Sequence, residues 1–357
     1  MKQLFQKIYD LNGVSFYTGY ALFKQLIGKP EIFKEIMVYG VSEEDFIEIC
    51  RTLKLAYDPV SRVLHDTEEY RFTFFADSKQ FFTARNDFSI NCIYVDTLTN
   101  ILHDPFNGLS DIKNKQIRAD KFVFLNQPEK MIEACRLAAE YGFTINVETW
   151  FHMYLNAIII KHIDPSLIRS EIARILMLGT PSKAFDLMRE TRLLEYILPE
   201  LSDCATVIQN RRVGVRNVFE HIMYALDACE MDLDLRLVIL FHDIAKPQTL
   251  ELREDGKIHF FNHEVIGAKL AKQYMKHWGF SRDQISKVSR LILYHMFDAD
   301  PKMTDRAIRR LIKKVGKDLI YDLLKVREAD RSGAPEPLSM KKIKNLRKKV
   351  DKELNAS

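Results

Sequence analysis

The sequence is poor in cysteine, and the few it has are placed where they build nothing together. Cys50, Cys92, Cys135, Cys204 and Cys229 are odd in number, scattered through 357 residues, and never spaced as CxxC. That excludes a disulfide framework and a zinc knuckle, and it fits reduced thiols in a cytoplasm. No stretch approaches about 18 uninterrupted apolar residues, so no membrane span is expected. The N-terminal MKQLFQKIYDLNG lacks the apolar core and small-residue cleavage site of a secretory leader. Internal repeats and low-complexity segments are also missing. Net charge is only +4, which by itself names no partner. What is present is a hydrophobic fraction of 47%, enough for a substantial core, in a length that allows two or three domains.

The periodicity changes along the chain. Up to about residue 118 it is mixed. Val14–Tyr17, Ile36–Val38 and Tyr70–Phe75 read as strands and a helix is expected from about Ala21. Asn91–Asp96 (NCIYVD) reads as strand and Thr97–Asn100 as turn, and HDPFNGL (His103–Leu109) is turn-rich. From about Asp120 the pattern is of helices only, with Asp164-Pro165-Ser166 and Thr180-Pro181-Ser182 as helix starts. The fold class expected is α+β: a small mixed α/β head followed by an elongated all-helical region.

One ordered series of side chains stands out between His221 and Asp330: His221, His242-Asp243, His263, His295 and Asp330. Imidazole nitrogens and carboxylate oxygens suit divalent first-row metals, and a mixed set can hold one or two with positions open to water and phosphate. The apolar run Leu237–Phe241 leads straight into His242-Asp243, so a buried helix would carry a charge inward, where it needs a partner or a metal. His295 continues the stripe Ile285, Val288, Ile292, and Asp330 continues Leu319, Leu323, Val326. A single histidine is more often a hydrogen-bonded core or surface residue. His65, His103, His152, His162 and His277 lack such company, and His65-Asp66 sits among polar residues. After Gly333-Ala334-Pro335-Glu336-Pro337 comes MKKIKNLRKKVDKEL, whose Lys341, Lys342, Lys344, Arg347, Lys348, Lys349 and Lys352 read as a solvated helix ahead of an RNA-phosphate contact.

Several segments, in order from about residue 80 to 335, resemble one family. RNDFSIN (Arg85–Asn91), HDPFNGLSDIKNKQIRA (His103–Ala119), PEKMIEACRLAAEYGFTI (Pro128–Ile145) and PSKAFDLMRETRLLEYILPEL (Pro181–Leu201) are similar to bacterial CCA-adding tRNA nucleotidyltransferases and poly(A) polymerases. FEHIMYALD, FHDIAKP, HFFNHEVIGAKLA, LYHM and READRSG resemble the HD domain appended to many of them. The resemblance implies a nucleotidyltransferase-like head at 1–118, a helical RNA-binding-like neck at 119–203, an HD metal-binding domain at 204–335 and a basic tail at 336–357. It also implies a nucleotide or tRNA-like RNA as substrate.

Residue by residue, the resemblance is uneven. The family's head holds two magnesium ions on paired aspartates after a Gly-Gly loop, with a third carboxylate on a later strand. Here the loop is Thr18-Gly19-Tyr20, the carboxylate strand is Glu35-Ile36-Met37, with one acid and one thioether, and Arg71 stands near the third position. The nucleotide-selecting segments appear as Arg85-Asn86-Asp87 and Asn126-Gln127-Pro128-Glu129-Lys130, leaving Glu35, Arg85, Asp87, Lys130 and Arg136 as vestigial nucleotide or RNA contacts. Longer family members continue past the HD region into segments that grip tRNA. In the HD region the resemblance makes His221, His242, Asp243 and Asp330 a primary metal site. His263 and His295 complete a second or contact phosphate. Asp243 and Lys246 are the catalytic candidates, and Arg331 holds Asp330 or a substrate phosphate, or is a surface arginine.

The function expected from this asymmetry is metal-dependent phosphohydrolysis of a nucleotide, a cyclic phosphate or an RNA 3′ end. It would use one or two ions of Mn, Ni, Co, Fe or Mg, on a degenerate transferase scaffold. The alternatives are a tRNA nucleotidyltransferase or poly(A) polymerase-like RNA 3′-end processing enzyme, and a non-catalytic RNA-binding protein.

Overall fold

The computed structural model describes residues 1–66, 68–75, 87–208, 217–254, 258–297, 303–332 and 341–355. Its contacts divide the chain into two compact units, Met1–Lys130 with Gly142–Asn156, and Met131–Tyr141 with Ala157–Ser357.

The first unit is built on a mixed sheet. Its strands are β1 (Val14–Thr18), β2 (Phe33–Tyr39), β3 (Ala56–Asp58), β4 (Val63–His65), β5 (Glu69–Phe75), β6 (Tyr94–Asp96) and β7 (Leu102–His103), in the order β3-β4-β5-β2-β1-β6-β7. β2 and β5 run parallel, which puts Glu35 beside Arg71, and the other pairs are antiparallel. Inward-facing Ile36, Val38, Leu64, Tyr70 and Phe72 pack with Leu4, Phe5 and Ile8 of α1 (Lys2–Asp10) and Phe46 of α3 (Glu43–Thr52). Between β1 and β2 lies α2 (Gly19–Leu26). The expected strand at Asn91–Asp96 is only half a strand: Ser89–Asn91 forms a 3-10 turn and pairing begins at Tyr94. Asp87 Oδ1 accepts from Asn91 Nδ2 at 3.1 Å, a side-chain bond that competes with extension. In the DPFNG turn, Asp104 accepts from the backbone of Gly108 and Leu109 as α4 (Gly108–Lys113) begins. Then come α5 (Lys121–Asn126) and α7 (Val147–Asn156); α6 (Lys130–Tyr141), between them in sequence, belongs from Met131 on to the second unit.

The second unit is helical: α8 (Pro165–Leu176), α9 (Ser182–Glu190), α10 (Leu193–Ile197), α11 (Pro199–Asp203), α12 (Val218–Ala228), α13 (Leu233–Phe241), α14 (His263–His277), α15 (Arg282–Tyr294), α16 (Asp305–Val315), α17 (Ile320–Ser332) and α18 (Lys341–Asn355). The expectation of helices only from residue 120 needs correction in two places. β8 (Gln116–Ile117) pairs with β9 (Thr144–Ile145), and β10 (Leu250–Leu252) pairs with β11 (Ile258–Phe260). The second pair carried its own sequence signal, Asp255-Gly256 between alternating apolar residues. The basic C-terminal stretch is also not a freely solvated helix, because α18 buries Ile343, Leu346 and Val350 against its neighbours.

Two helix starts differ in how they are capped. Asp164 accepts from Ser166 N ahead of α8, as its residue type leads one to expect. At α9 the N-cap is Pro181 with no capping side chain of its own, and Asp227 of α12 does the work from 45 residues away, accepting from Ser182 N at 3.0 Å and Ser182 Oγ at 2.6 Å. Asp227→Ala is therefore expected to cost about 1 kcal/mol of stability, up to about 2. Urea unfolding beside wild type checks this, and an unchanged midpoint would deny Asp227 the capping role.

Candidate functional site

The second unit gathers the six expected ligands. α13 begins at Asp232, which accepts from Leu235 N, and from Leu235 to Phe241 every residue is buried. That burial carries His242 and Asp243 into the interior, with His242 fully enclosed. A capping box of Asn217 and Glu220 fixes the start of α12 and with it His221. His263 opens α14, and Gly267 one turn later lets that helix approach α13: a Cβ there would lie 3.3 Å from the Phe241 carbonyl. His295 follows α15, and Asp330 lies in the last turns of α17.

Their ligand atoms form two groups, His221 with His242 and Asp330, and Asp243 with His263 and His295, each within 4.8 Å of one another. Asp243 spans both. Its Oδ2 lies 3.3 Å from His221 Nε2 and 3.2 Å from His242 Nε2, while Oδ1 lies 3.3 Å from His263 Nε2 and 3.7 Å from His295 Nε2. Asp330 Oδ1 stands 3.2 Å from His221 Nε2 and 3.7 Å from His242 Nε2. The sequence reading put Asp243 with the first group only, and the geometry makes it the shared carboxylate.

The imidazoles are oriented from behind. Nδ1 of His242, His263 and His295 lies 2.7, 2.8 and 2.7 Å from the carbonyls of Ile239, Phe260 and Ile292, so each Nδ1–H donates to backbone and each Nε2 lone pair faces inward. His221 Nε2 and His242 Nε2 are 3.2 Å apart, and His263 Nε2 and His295 Nε2 3.4 Å. Lone pairs converging at such distances call for a cation or a proton between them. Burial works against charge on His242, yet Asp243 and Asp330 outweigh it and carry its pKa to about 10. Burial dominates at His295 and lowers its pKa. Both aspartates stay well below the usual carboxylate range despite burial, held there by the imidazoles and, for Asp243, by the Lys246 ammonium 2.6 Å from Oδ2. Asp243 Oδ1 is buried with no hydrogen-bond donor. An orphaned carboxylate oxygen aimed at two imidazole lone pairs is what a divalent cation would satisfy, so the donor set fits one or two such ions.

One residue of this centre escaped the sequence reading. Asp330 is steadied by Arg327, whose Nη1 donates to Oδ2 at 2.6 Å. The i,i+3 spacing on one helix was the available signal.

The first unit's candidates are arranged differently. Glu35 Oε2 accepts from Ala21 N at 3.0 Å, so its carboxylate caps the N-terminus of α2. Gly19, at φ +72°, makes room for it, since a Cβ there would sit 2.2 Å from Oε2. Burial raises the Glu35 pKa, and the nearby Asp87 adds to the rise. Lys130 Nζ binds Asp87 Oδ1 at 2.9 Å, so two of the nucleotide-site candidates neutralise each other. Arg71 stacks its guanidinium on Phe33 and pairs with Glu69. Met37 offers no hard oxygen ligand where the second acid would be. A cavity of about 270 Å³ beside Glu35 is lined by Tyr17, Thr18, Phe33, Lys34 and Glu68 among others. Arg85 lies outside the described residues. Arg136 is placed elsewhere, in the second unit: it is buried, with its guanidinium on Glu171 and Glu140 at 2.8 Å and Glu133 at 3.5 Å. Three carboxylates around one guanidinium account for it as part of the helical core.

Comparison with known proteins matches three family models in order. They are the poly A polymerase head domain over residues 24–118, the "probable RNA and SrmB-binding site of polymerase A" over 142–204, and the HD domain over 215–334. The chain belongs to the tRNA nucleotidyltransferase and poly(A) polymerase family with an HD domain. A "Multifunctional CCA protein" of Nitrosomonas eutropha is 27% identical over 71% of this chain and 66% of its own length. A "CC-adding tRNA nucleotidyltransferase" of Thermus thermophilus is 28% identical over 57% and 48%. The chain thus spans about half to two thirds of the curated relatives it matches. A tRNA nucleotidyltransferase solved with a primer tRNA and an incoming ATP analog shares the fold at TM-score 0.67, with 17% identity over 99% of this chain and all of that one. The Bacillus stearothermophilus CCA-adding enzyme in complex with CTP gives 0.66, at 17% over 98% and 81%. These names stand on the nucleotidyltransferase side of the expectation. None of these names states hydrolysis, so that reading rests on the HD geometry. Among the described residues no helix is long and apolar enough to cross a membrane.

Two outcomes follow. Adding Mn²⁺, Ni²⁺ or Co²⁺ to metal-stripped protein is expected to raise its unfolding temperature, by a linkage worth about 2.7 kcal/mol at a hundredfold excess over Kd. His263→Ala/His295→Ala should lose much of that rise, and a rise equal to wild type would place the ion elsewhere. Glu35 binds protons more readily folded than unfolded, so its contribution to stability falls as pH rises from about its ordinary 4.5 toward the raised value. Glu35→Gln should flatten the stability–pH curve in that window, and unfolding midpoints with identical pH slopes would contradict this.

Proposed function

We propose that this chain is an RNA 3′-end processing enzyme whose chemistry is metal-dependent hydrolysis of a phosphate ester, terminal or cyclic, at the HD centre. The family and the names of the relatives support the RNA 3′ end as substrate, tRNA first. The observation that carries hydrolysis is Asp243, a buried carboxylate shared between two sets of imidazoles and neutralised by Lys246. His221, His242 and Asp330 would hold one divalent ion, Asp243, His263 and His295 a second. The ion identity stays open among Mn, Ni, Co, Fe and Mg. When bound, such ions polarise a phosphate ester and make water acidic enough to attack near neutral pH. The protein's own part is to fix three imidazoles through their Nδ1–H bonds and to keep the site dry. Lys246, against Asp243 and over the Phe260 ring, puts a cation where charge develops on phosphate oxygens.

Nucleotidyl transfer by the first unit is the second reading, and the comparisons back it better than hydrolysis. Glu35 lines a cavity of about 270 Å³ and feels the charge of Asp87. Against it, Glu35 is engaged as a helix cap, Met37 cannot bind a hard cation, and Asp87 is paired with Lys130. Two-metal transfer requires acids that clamp both ions.

The two readings separate in one experiment. Hydrolysis of a generic phosphodiester and of 2′,3′-cyclic nucleotides, with each metal in turn, is compared with incorporation of labelled CTP and ATP onto tRNA lacking its terminal nucleotides. Expected are metal-dependent hydrolysis, a loss of about 100-fold or more in His242→Ala/Asp243→Ala, and no incorporation; even outer partners of metal ligands are worth about 10–100-fold. Incorporation that survives the double variant, with no hydrolysis under any metal, would move the function to the first unit.

A further inference from the structure

We propose that the surface formed by α16 and α18 binds the phosphodiester backbone of RNA, independently of base sequence. α16 buries Ile308, Leu311, Ile312 and Val315 and turns Arg306, Arg309, Arg310, Lys313 and Lys314 to solvent. α18 packs alongside it. Lys349 Nζ donates to the Met303 carbonyl at 2.9 Å, Lys352 lies 3.6 Å from Asp305, and Arg309 lies 3.5 Å from Glu353. A cavity of about 320 Å³ between the helices is lined by Arg309, Lys313, Lys317 and Glu353.

The charge is concentrated, not spread as a solubilising coat. α16 carries five Arg and Lys against one Asp, and α18 seven against one Asp and one Glu. That is an excess of nine positive charges in two neighbouring helices of a chain whose whole net charge is +4, so the remainder is net acidic. Arg306, Arg310, Lys313 and Lys314 follow one another at helical spacing along one side of α16, over about 12 Å at 1.5 Å per residue, and Lys317 lies just past its end. With Lys348, they make no ion pair among the described residues. Unpaired like charges crowded together repel one another, and a polyanion with a charge every few ångströms relieves that.

An anionic membrane would also be attracted, but it rewards an apolar face beside the cations. Here Ile308, Leu311, Ile312, Val315, Ile343, Leu346 and Val350 are all used inside the packing. No aromatic side chain stands among the exposed residues of either helix to stack on a base, so the contacts read phosphate and not sequence. The choice of RNA over another polyanion rests on the RNA-end reading above, whereas the surface itself does not.

The test uses the full chain, a fluorescent tRNA transcript and a single-stranded RNA of equal length, with anisotropy read from about 50 to 200 mM salt. Arg306→Glu/Arg310→Glu/Lys314→Glu is compared with Lys2→Glu/Lys7→Glu/Lys54→Glu, which removes the same charge from exposed positions of the first unit. Alanine in place of the three α16 cations, checked by circular dichroism, guards against misfolding. Expected is at least a tenfold loss for the α16 variant on both RNAs. Its salt dependence should be flatter by roughly 0.7–0.9 in log–log slope per lost contact, and the control should stay near wild type. Equal losses in the two variants, unchanged affinity, or binding to phosphatidylserine vesicles in place of RNA would each overturn the proposal. Hydrolysis of a small cyclic phosphate, read on the same proteins, reports the HD centre alone. RNA affinity kept by the α16 variant thus counts against this surface and leaves the hydrolysis reading to its own test.

Discussion

The second unit depends on how one carboxylate is kept charged in a dry interior. Asp243 is almost wholly enclosed, and an isolated ionised carboxylate there would cost many kcal/mol. It is tolerated because the Lys246 ammonium and the His221 and His242 imidazoles, whose proton affinity the aspartates raise, answer Oδ2, while Oδ1 faces His263 and His295 with no donor. Those groups come from four helices and the loop after α13, so the charge and the helix packing are one constraint. Moving any of these helices would leave a ligand unpaired or a lone pair facing nothing. Gly267 belongs to the same constraint, because α14 can bring His263 into range only where its backbone runs close to the end of α13.

The first unit solves a similar problem the opposite way. Glu35 also points inward, but its partner is the amide of Ala21 at the start of a short helix, a local contact that needs no cation. Asp87 is met by Lys130, and Arg71 by Glu69 and the face of Phe33. Each charge is answered by a group of the chain itself. Where carboxylates are satisfied internally, a cation has little to gain by displacing their partners. Where an oxygen such as Asp243 Oδ1 has no donor at all, the structure is waiting for one.

What could be read in the sequence follows from how local each signal is. His295 and Asp330 could be placed facing inward because their helices repeat apolar residues at steps of three and four, and His242-Asp243 because five apolar residues precede them. The shared role of Asp243 was not legible: spacing along the chain does not say which oxygen faces which imidazole. The surroundings of Arg136 were not legible for a related reason. Glu171, 35 residues on and in another helix, binds its guanidinium, and spacing along the chain does not show that. Asp227 capping α9 across 45 residues is the same kind of information, invisible to periodicity. The hairpin of β10 and β11 was missed although its turn residues were present, because the surrounding helical pattern dominated the reading.

The two charged features of the second unit differ in what water does for them. Around Asp243 water is excluded, so electrostatic energy per pair is large and every charge must be answered. On α16 and α18 the cations are hydrated and screened, and an ion pair there contributes at most about 1 kcal/mol to stability. Their accumulation therefore has no folding rationale: the helices are held by Ile308, Leu311, Ile312, Val315, Ile343, Leu346 and Val350, and any polar residue would serve on the outer face. A surplus that folding does not need, and that self-repulsion opposes, is best explained by something outside the chain carrying the opposite charge.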